Sequence, residues 1–159
     1  IGTMALEIER KFLLSYLPEG LMIHGIIMAQ GYMVSEKNKV IRVRLAGDSA
    51  WLTIKGETRN LQRKEFEYPV PCTDAREMLD LFCERPFIEK TRYTVDHNGF
   101  EWVIDQFSGD NQGLVVAEIE LSRPDQDFDR PDWIGQEVTD DPRYYNSNLV
   151  RYPYSRWQL

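Results

Sequence analysis

Glutamate, lysine and arginine recur two positions apart in five short segments: Glu7-Ile8-Glu9-Arg10-Lys11, Arg42-Val43-Arg44, Arg63-Lys64-Glu65-Phe66-Glu67, Lys90-Thr91-Arg92 and Glu118-Ile119-Glu120. A period of two places each set on one face of a β-strand. Taken singly, each set could be the solvated face of a half-buried strand, or acids and bases pairing into structural salt bridges. Taken together with Lys55, they gather six acids (Glu7, Glu9, Glu65, Glu67, Glu118, Glu120) and seven bases (Lys11, Arg42, Arg44, Lys55, Arg63, Lys90, Arg92). If the strands close into a barrel with these faces inward, they line a channel carrying both signs of charge. Burying so many ions is costly unless water, a ligand or mutual neutralisation compensates. Carboxylates are hard oxygen ligands suited to Mg²⁺ or Mn²⁺. Arginine and lysine pair with phosphate oxygens and spread the charge that builds during phosphoryl transfer. The combination fits a metal-assisted phosphohydrolase, in which acidified water removes the need for a Ser or Cys nucleophile.

Positioning these side chains requires strands, and the local pattern supplies them. β-favourable runs cover about Leu6–Leu14, Gly25–Val34, Val40–Ala46, Ala50–Lys55, Arg63–Val70, Ile88–Asp96, Phe100–Phe107 and Leu114–Ser122. Gly47-Asp48-Ser49 and His97-Asn98-Gly99 read as hairpin turns. Pro69-Val70-Pro71 interrupts the sheet, because proline removes ladder donors. Thr73 then caps a helix whose apolar residues Ala75, Met78, Leu79 and Phe82 share one face, ending before Pro86 and packing outside the barrel. The stretch 124–132 is acidic and proline-punctuated, and reads as irregular. Asp141-Pro142 opens a last helix, with Asp as N-cap and Pro at the first helical position. The expected class is α+β: about eight strands in an antiparallel sheet, which inward-facing charges would close into a β-barrel, with peripheral helices, one of them C-terminal.

The 159 residues make one domain, expected over 4–159, and Ile1-Gly2-Thr3 ahead of Met4 reads as an expression remnant. A net charge of −7 argues against a general nucleic-acid binder, which needs a basic surface. No apolar run approaches the roughly 18 residues of a membrane span. Leu21–Ala29, the nearest candidate, is broken by His24 and Gly25. Cys72 and Cys83 lack metal-type spacing and the density of a disulfide scaffold, so both read as reduced structural thiols. A cytoplasmic location is the default that follows. His24 and His97 have no partner spacing for metal binding and read as structural.

Glu7-Ile8-Glu9-Arg10-Lys11-Phe12 resembles the ExExK motif that opens the CYTH domain of the triphosphate tunnel metalloenzyme superfamily. The resemblance continues in order through Gln30-Gly31-Tyr32, Arg42-Val43-Arg44, Thr53-Ile54-Lys55, Arg63 to Glu67, Glu89-Lys90-Thr91-Arg92-Tyr93, Asp105, Glu118-Ile119-Glu120 and Val138-Thr139-Asp140 to Arg143-Tyr144. It covers essentially the whole chain and is specific to the small bacterial inorganic triphosphatase type. It implies an eight-stranded tunnel that binds a triphosphate with a divalent metal, Mg²⁺ or Mn²⁺. Under it, Glu7, Glu9, Glu118 and Glu120 hold metal, with Glu65, Glu67 and Asp105 as nearby ligands or water-positioning groups. Lys11, Arg42, Arg44, Lys55, Lys90, Arg92 and Arg63 clamp the phosphates. Lys11 and Tyr32 resemble a Lys–Tyr dyad of some members, against a merely packed tyrosine, so Glu9, Lys11, Tyr32 and Glu120 are the catalytic candidates. Arg143 is either a tunnel-mouth cation or an exposed helix cation.

The superfamily includes several triphosphatases and the class IV adenylate cyclases, so fold alone does not choose a reaction. No recognition element for a base or thiazolium ring stands out, whereas the phosphate clamps are complete. The expectation is hydrolysis of inorganic triphosphate to pyrophosphate and phosphate. The alternatives are a class IV adenylate cyclase, a nucleoside or thiamine triphosphatase, a non-hydrolytic polyphosphate-binding module and a purely structural barrel. The expected partner is a small-molecule triphosphate, without nucleic acid or membrane, on a monomer or homodimer.

Overall fold

The computed structural model describes residues 3–157; Ile1 and Gly2 of the expected remnant lie outside them, while Thr3 already belongs to a strand. Nine strands, β1 (Thr3–Leu14), β2 (Ile26–Glu36), β3 (Lys39–Ala46), β4 (Ser49–Gly56), β5 (Gln62–Pro69), β6 (Ile88–His97), β7 (Phe100–Phe107), β8 (Val115–Glu120) and β9 (Ile134–Glu137), form one antiparallel sheet. Two α-helices, α1 (Cys72–Phe82) and α2 (Asn146–Arg151), accompany it. The strand order is β5-β4-β3-β2-β6-β7-β8-β1-β9, and β5 also pairs with β1, so β1 to β8 close into a ring. β1 makes the closure: Thr3–Ile8 pair with β5, Glu9–Leu13 with β8, and Phe12 and Leu14 with β9. Closing the ring removes the sheet edges of β1 to β8, and leaves the short β9 as an edge strand on β1.

Period-two alternation divides every strand into an outer and an inner set. Outward, Ile8 and Phe12 of β1, Trp102 and Ile104 of β7 and Ala117 and Ile119 of β8 build an apolar cluster that Phe128 and Trp133 cover. The irregular stretch 124–132 is therefore a lid on the barrel's outer wall. On the opposite flank, Val43 and Ala50 pack beneath Ala75 and Leu79 of α1, with Met78 half-buried beside them; Phe82, expected on the same face, sits in the helix's last turn and is exposed. At one end of the ring the inner face itself turns apolar. There Tyr32, Val40, Ile88, Phe107 and Val116 pack with Val138, Tyr144, Leu149, Val150 and Trp157. The C-terminal segment thus seats on the inner wall at that end.

Three local expectations shift. The four-residue strand β9 is not legible, since it is short and includes Gly135; a Cβ there would meet Ser15 N at 3.1 Å and Leu13 O at 3.2 Å, so glycine permits the close pairing with β1. Helix α1 starts at Cys72, behind Pro71, with no side-chain cap, and Thr73 is already helical. Asp141 caps only a 3₁₀ turn, Pro142–Tyr144, through Arg143 N at 3.1 Å; Tyr145 is extended, and α2 begins after it. The turns Gly47 (φ 60°) and Asn98-Gly99 (φ 49° and 83°) take the left-handed conformations that tight hairpins require. Among the described residues no helix is long and apolar enough to cross a membrane.

Candidate active site

One cavity of about 690 Å³ opens on the inner face, and all thirteen charged residues expected there line it, together with Tyr32. Asp105 does not belong to this lining. The register explains how the charges meet. Glu9 faces Glu120 and Lys11 faces Glu118 across β1 and β8, while Lys55 faces Glu65 across β4 and β5. The cavity consequently has an acidic wall around β1, β5 and β8 and a basic wall around β2, β3 and β6.

The acidic wall is crowded. Directly opposed like charges destabilise a sheet, and burial followed by the charges of Glu118 and Glu7 pushes the Glu9 carboxyl well above the usual range. Burial and then Glu7 and Glu118 also raise Glu120. Lys55 bridges part of the wall, reaching Glu7 at 2.8 Å and Glu65 at 3.3 Å. Against the effect of burial, its charge keeps Glu7 ionised, whereas burial and the adjoining Glu7 raise Glu65. Lys11 donates to the Tyr144 carbonyl at 3.1 Å and lies 3.7 Å from Glu118. Burial opposes its charge, but Glu118 and Glu9 hold its proton more firmly than in an ordinary lysine.

The basic wall holds more cations than acids to pair them. Asp105 receives Arg92 in a bidentate pair at 2.7 and 2.8 Å and Lys90 at 2.8 Å. The Lys90 and Asp105 side chains are each 1% exposed. Burial, with Arg92 and Arg44 nearby, pulls Lys90 below the ordinary lysine range against the attraction of Asp105. Arg44 donates to Gln30 at 2.9 Å and has no carboxylate partner among the described residues. Burial, then Arg42 and Arg92, lowers its pKa. Arg42 meets Thr53 at 3.3 Å and Glu67 at 3.6 Å, yet its buried Nε has no acceptor. Arg63 donates to the Gly56 carbonyl at 3.1 Å. Buried donors without acceptors and cations beside cations both favour an incoming anion.

Several placements depart from expectation. Asp105, expected among the metal ligands, has both carboxylate oxygens engaged by Lys90 and Arg92. Tyr32 Oη accepts from Gln30 at 2.9 Å, while Lys11 turns to Tyr144 and Glu118, so no direct Lys11–Tyr32 hydrogen bond forms. Arg143 folds back on Asp141 at 2.7 Å, over the Tyr144 and Trp157 rings, and stays out of the cavity lining. Sequence reasoning also assigned no role to Gln30, Thr53 or Asn146. Their signal is parity: Gln30 and Thr53 are polar residues in register with Arg44 and Arg42.

Among the described residues no three Asp, Glu, His or Cys side chains converge as a ready metal cage. The donor chemistry nevertheless fits a hard divalent cation. Glu9, Glu118 and Glu120 offer carboxylate oxygen at one wall, and Glu9, opposite Glu120 in the register and raised by burial and then by Glu118 and Glu7, is a place where added positive charge would relieve repulsion.

A family model of the CYTH domain matches residues 5–146. The chain belongs to the CYTH domain family. Among CYTH relatives, it is 46% identical over 155 residues to the inorganic triphosphatase of Acetivibrio thermocellus, covering 98% of this chain and 99% of that protein. It is 38% identical over 150 residues to the inorganic triphosphatase of Nitrosomonas europaea, covering 91% and 96%. The crystal structure of the inorganic triphosphatase NE1496 superposes with a TM-score of 0.65 at 35% identity, covering 91% of this chain and 93% of that one. The CYTH tunnel is therefore the fold seen here.

Proposed function

We propose that this protein hydrolyses inorganic triphosphate to pyrophosphate and phosphate within the cavity, using Mg²⁺ or Mn²⁺. The observation that carries the reading is a closed ring with opposed acidic and basic inner walls in a chain 46% identical to an inorganic triphosphatase. Arg42, Arg44, Arg63, Lys90 and Arg92 bind the triphosphate oxygens, and Lys11 and Lys55 add charge where the two walls meet. Asp105 is reassigned from metal ligand to a group that holds Arg92 and Lys90 in place. Glu9, Glu118 and Glu120 would hold the metal, with Glu7 and Glu65, now paired with Lys55, and Glu67, now paired with Arg42 and Thr53, as the further carboxylates of the same wall. When bound, the metal would neutralise phosphate charge and acidify the attacking water.

The protein's own contribution is positional and electrostatic. Fixed cations hold the substrate in line for attack and stabilise charge as the terminal phosphoryl group passes to water and pyrophosphate leaves. Lys11 keeps its proton, which suits it to the phosphate oxygens or to the leaving pyrophosphate rather than to the work of a base. Tyr32 helps shape the same wall through Gln30. The domain takes in Thr3, which already pairs with β5, and the setting is cytoplasmic, a reading supported by two free thiols, Cys72 and Cys83.

Phosphate release from tripolyphosphate, beside ATP and thiamine triphosphate, with Mg²⁺ or Mn²⁺, tests the proposal. Metal-dependent release from tripolyphosphate that is lost in Glu120→Gln is the expected result. Cyclic AMP formed from ATP, without turnover of tripolyphosphate, would move the assignment to a cyclase.

A further inference from the structure

Gln30 lies on the inner face of β2 with no exposed surface, between Arg44 and the C-terminal segment. Its Oε1 accepts from Arg44 Nε at 2.9 Å, and its Nε2 donates to Tyr32 Oη at 2.9 Å and to Asn146 Oδ1 at 3.2 Å. Arginine offers only donors, so the amide oxygen must face Arg44 and the amide nitrogen must face Asn146. That choice presents the oxygen of Asn146 inward, where it accepts from Lys90 Nζ at 2.8 Å. A chain of fixed polarity therefore runs from Arg44 through Gln30 and Asn146 to Lys90. Both ends are cations, and both links are neutral amides.

Neutrality matters here. A carboxylate at position 30 could orient Arg44 equally well, but it would cancel the charge that a polyanion must meet. The amide orients the guanidinium and cancels nothing. Lys90 already shares Asp105 with Arg92, so a second acid at position 146 would complete its neutralisation.

We propose that Gln30 and Asn146 are positioning residues of the phosphate clamp: neutral acceptors that aim Arg44 and Lys90 while leaving the clamp's surplus positive charge for the triphosphate, and that fasten the C-terminal segment to it. The proposal deepens the triphosphatase reading and rests on it for the identity of the ligand. Neither residue needs to touch the reacting atoms.

The test uses Gln30→Glu and Asn146→Asp, which each add one carboxylate at nearly unchanged size, with Gln30→Met as a variant that lacks the amide. Steady-state kinetics on tripolyphosphate with saturating Mg²⁺ are expected to show KM rising about ten-fold in each acidic variant, equivalent to ~1.4 kcal/mol of lost binding. The fall in kcat is expected to be much smaller, the Mg²⁺ concentration for half activation unchanged, and the KM of Gln30→Met intermediate. A merely structural role would lower kcat or stability without this split. KM within about two-fold of the parent protein in both acidic variants overturns the proposal, as does a loss confined to kcat. Asn146 is half-buried on the C-terminal segment, so Asn146→Asp keeps the test open if Gln30→Glu does not fold. The parent protein measured alongside separates the two readings. If it does not turn over tripolyphosphate, the triphosphatase reading fails; calorimetric titration with tripolyphosphate and Mg²⁺ then judges the clamp, where weaker binding to both acidic variants supports the positioning role and equal binding overturns it.

Discussion

The outer and inner faces of the same strands obey opposite rules. On β1, Ile8 and Phe12 point into an aromatic cluster in which Trp102 meets Phe12, Phe128 and Trp133 edge-to-face at 5.6, 5.7 and 5.8 Å. Glu7, Glu9 and Lys11, one position away in each case, point at other charges. The outer residues bury apolar area and favour folding. The inner residues lose solvation, and Glu9 faces Glu120 without a cation between them in the register. The outer face is thus where the ring acquires stability, and the inner face is where it spends some on a site that binding a cation and an anion would relieve.

The comparison breaks most severely at Trp102. It is fully buried, and its replacement by alanine would empty the centre of the outer cluster. The expected cost is ~3–5 kcal/mol in chemical denaturation. Residual folded protein should retain KM for tripolyphosphate, because Trp102 lies on the outer face and is not part of the cavity lining. A Trp102→Ala protein with parental stability would remove the claim that the outer face supports the ring.

Glu9→Gln probes the inner face with the opposite sign. Turnover is expected to fall by about a hundred-fold or more, the scale of removing one group that stabilises developing charge. Thermal unfolding of the metal-free variant should meanwhile occur at the parental temperature or above it, since an opposed like-charge pair costs about 0.2–1 kcal/mol. Mg²⁺ with tripolyphosphate should then stabilise the parent protein more than the variant. Loss of both stability and turnover would make Glu9 a structural ion and erase the contrast between the faces.

The contrast itself was legible in the sequence because it is written in a period of two. Glu7, Glu9 and Lys11 alternate with Ile8, Arg10 and Phe12, and no other regular backbone separates those sets so cleanly. The ring order was legible only through family resemblance, since alternation names a strand's faces and not its neighbours. What escaped depends on contacts distant in sequence. Asp105 is the exception: the Asn98-Gly99 hairpin already sets β6 beside β7 and brings Arg92 opposite it, only 13 residues away, so its pairing with basic side chains was open to a register count. The pairing of Lys11 with Tyr144 is decided by a break at Tyr145, where one expected helix becomes a 3₁₀ turn and a short α2. Gln30 and Asn146 are 116 residues apart, so neither signals the other locally.

A smaller effect lies where the two faces meet. Arg10 is the charged member of the outer set on β1: its Cζ sits 5.1 Å from the Phe128 ring centroid, and its Nε donates to Glu137 of β9 at 2.8 Å. Thr139 also donates to Glu137, at 2.6 Å, and Arg130 approaches it at 3.9 Å. The Arg10 hydrogen bond, opposed by partial burial and helped by Thr139, holds the Glu137 carboxyl below its usual range. A depressed carboxylate pKa means that the folded state binds the proton less well than the unfolded chain. The stabilisation is therefore complete above the unfolded value of about 4.3 and is lost as pH falls through the lower folded value. Glu137 is 29% exposed, so solvent screens the pair, and Glu137→Gln should cost only ~0.5–1 kcal/mol at neutral pH. Urea denaturation of parent and variant should show that difference near pH 7 and its disappearance as both carboxylate forms protonate below about pH 4. A difference that persists undiminished in acid would mean that β9 is fastened to β1 by the shape of the side chain and not by its charge, and that this outer contact follows the apolar rule of its neighbours.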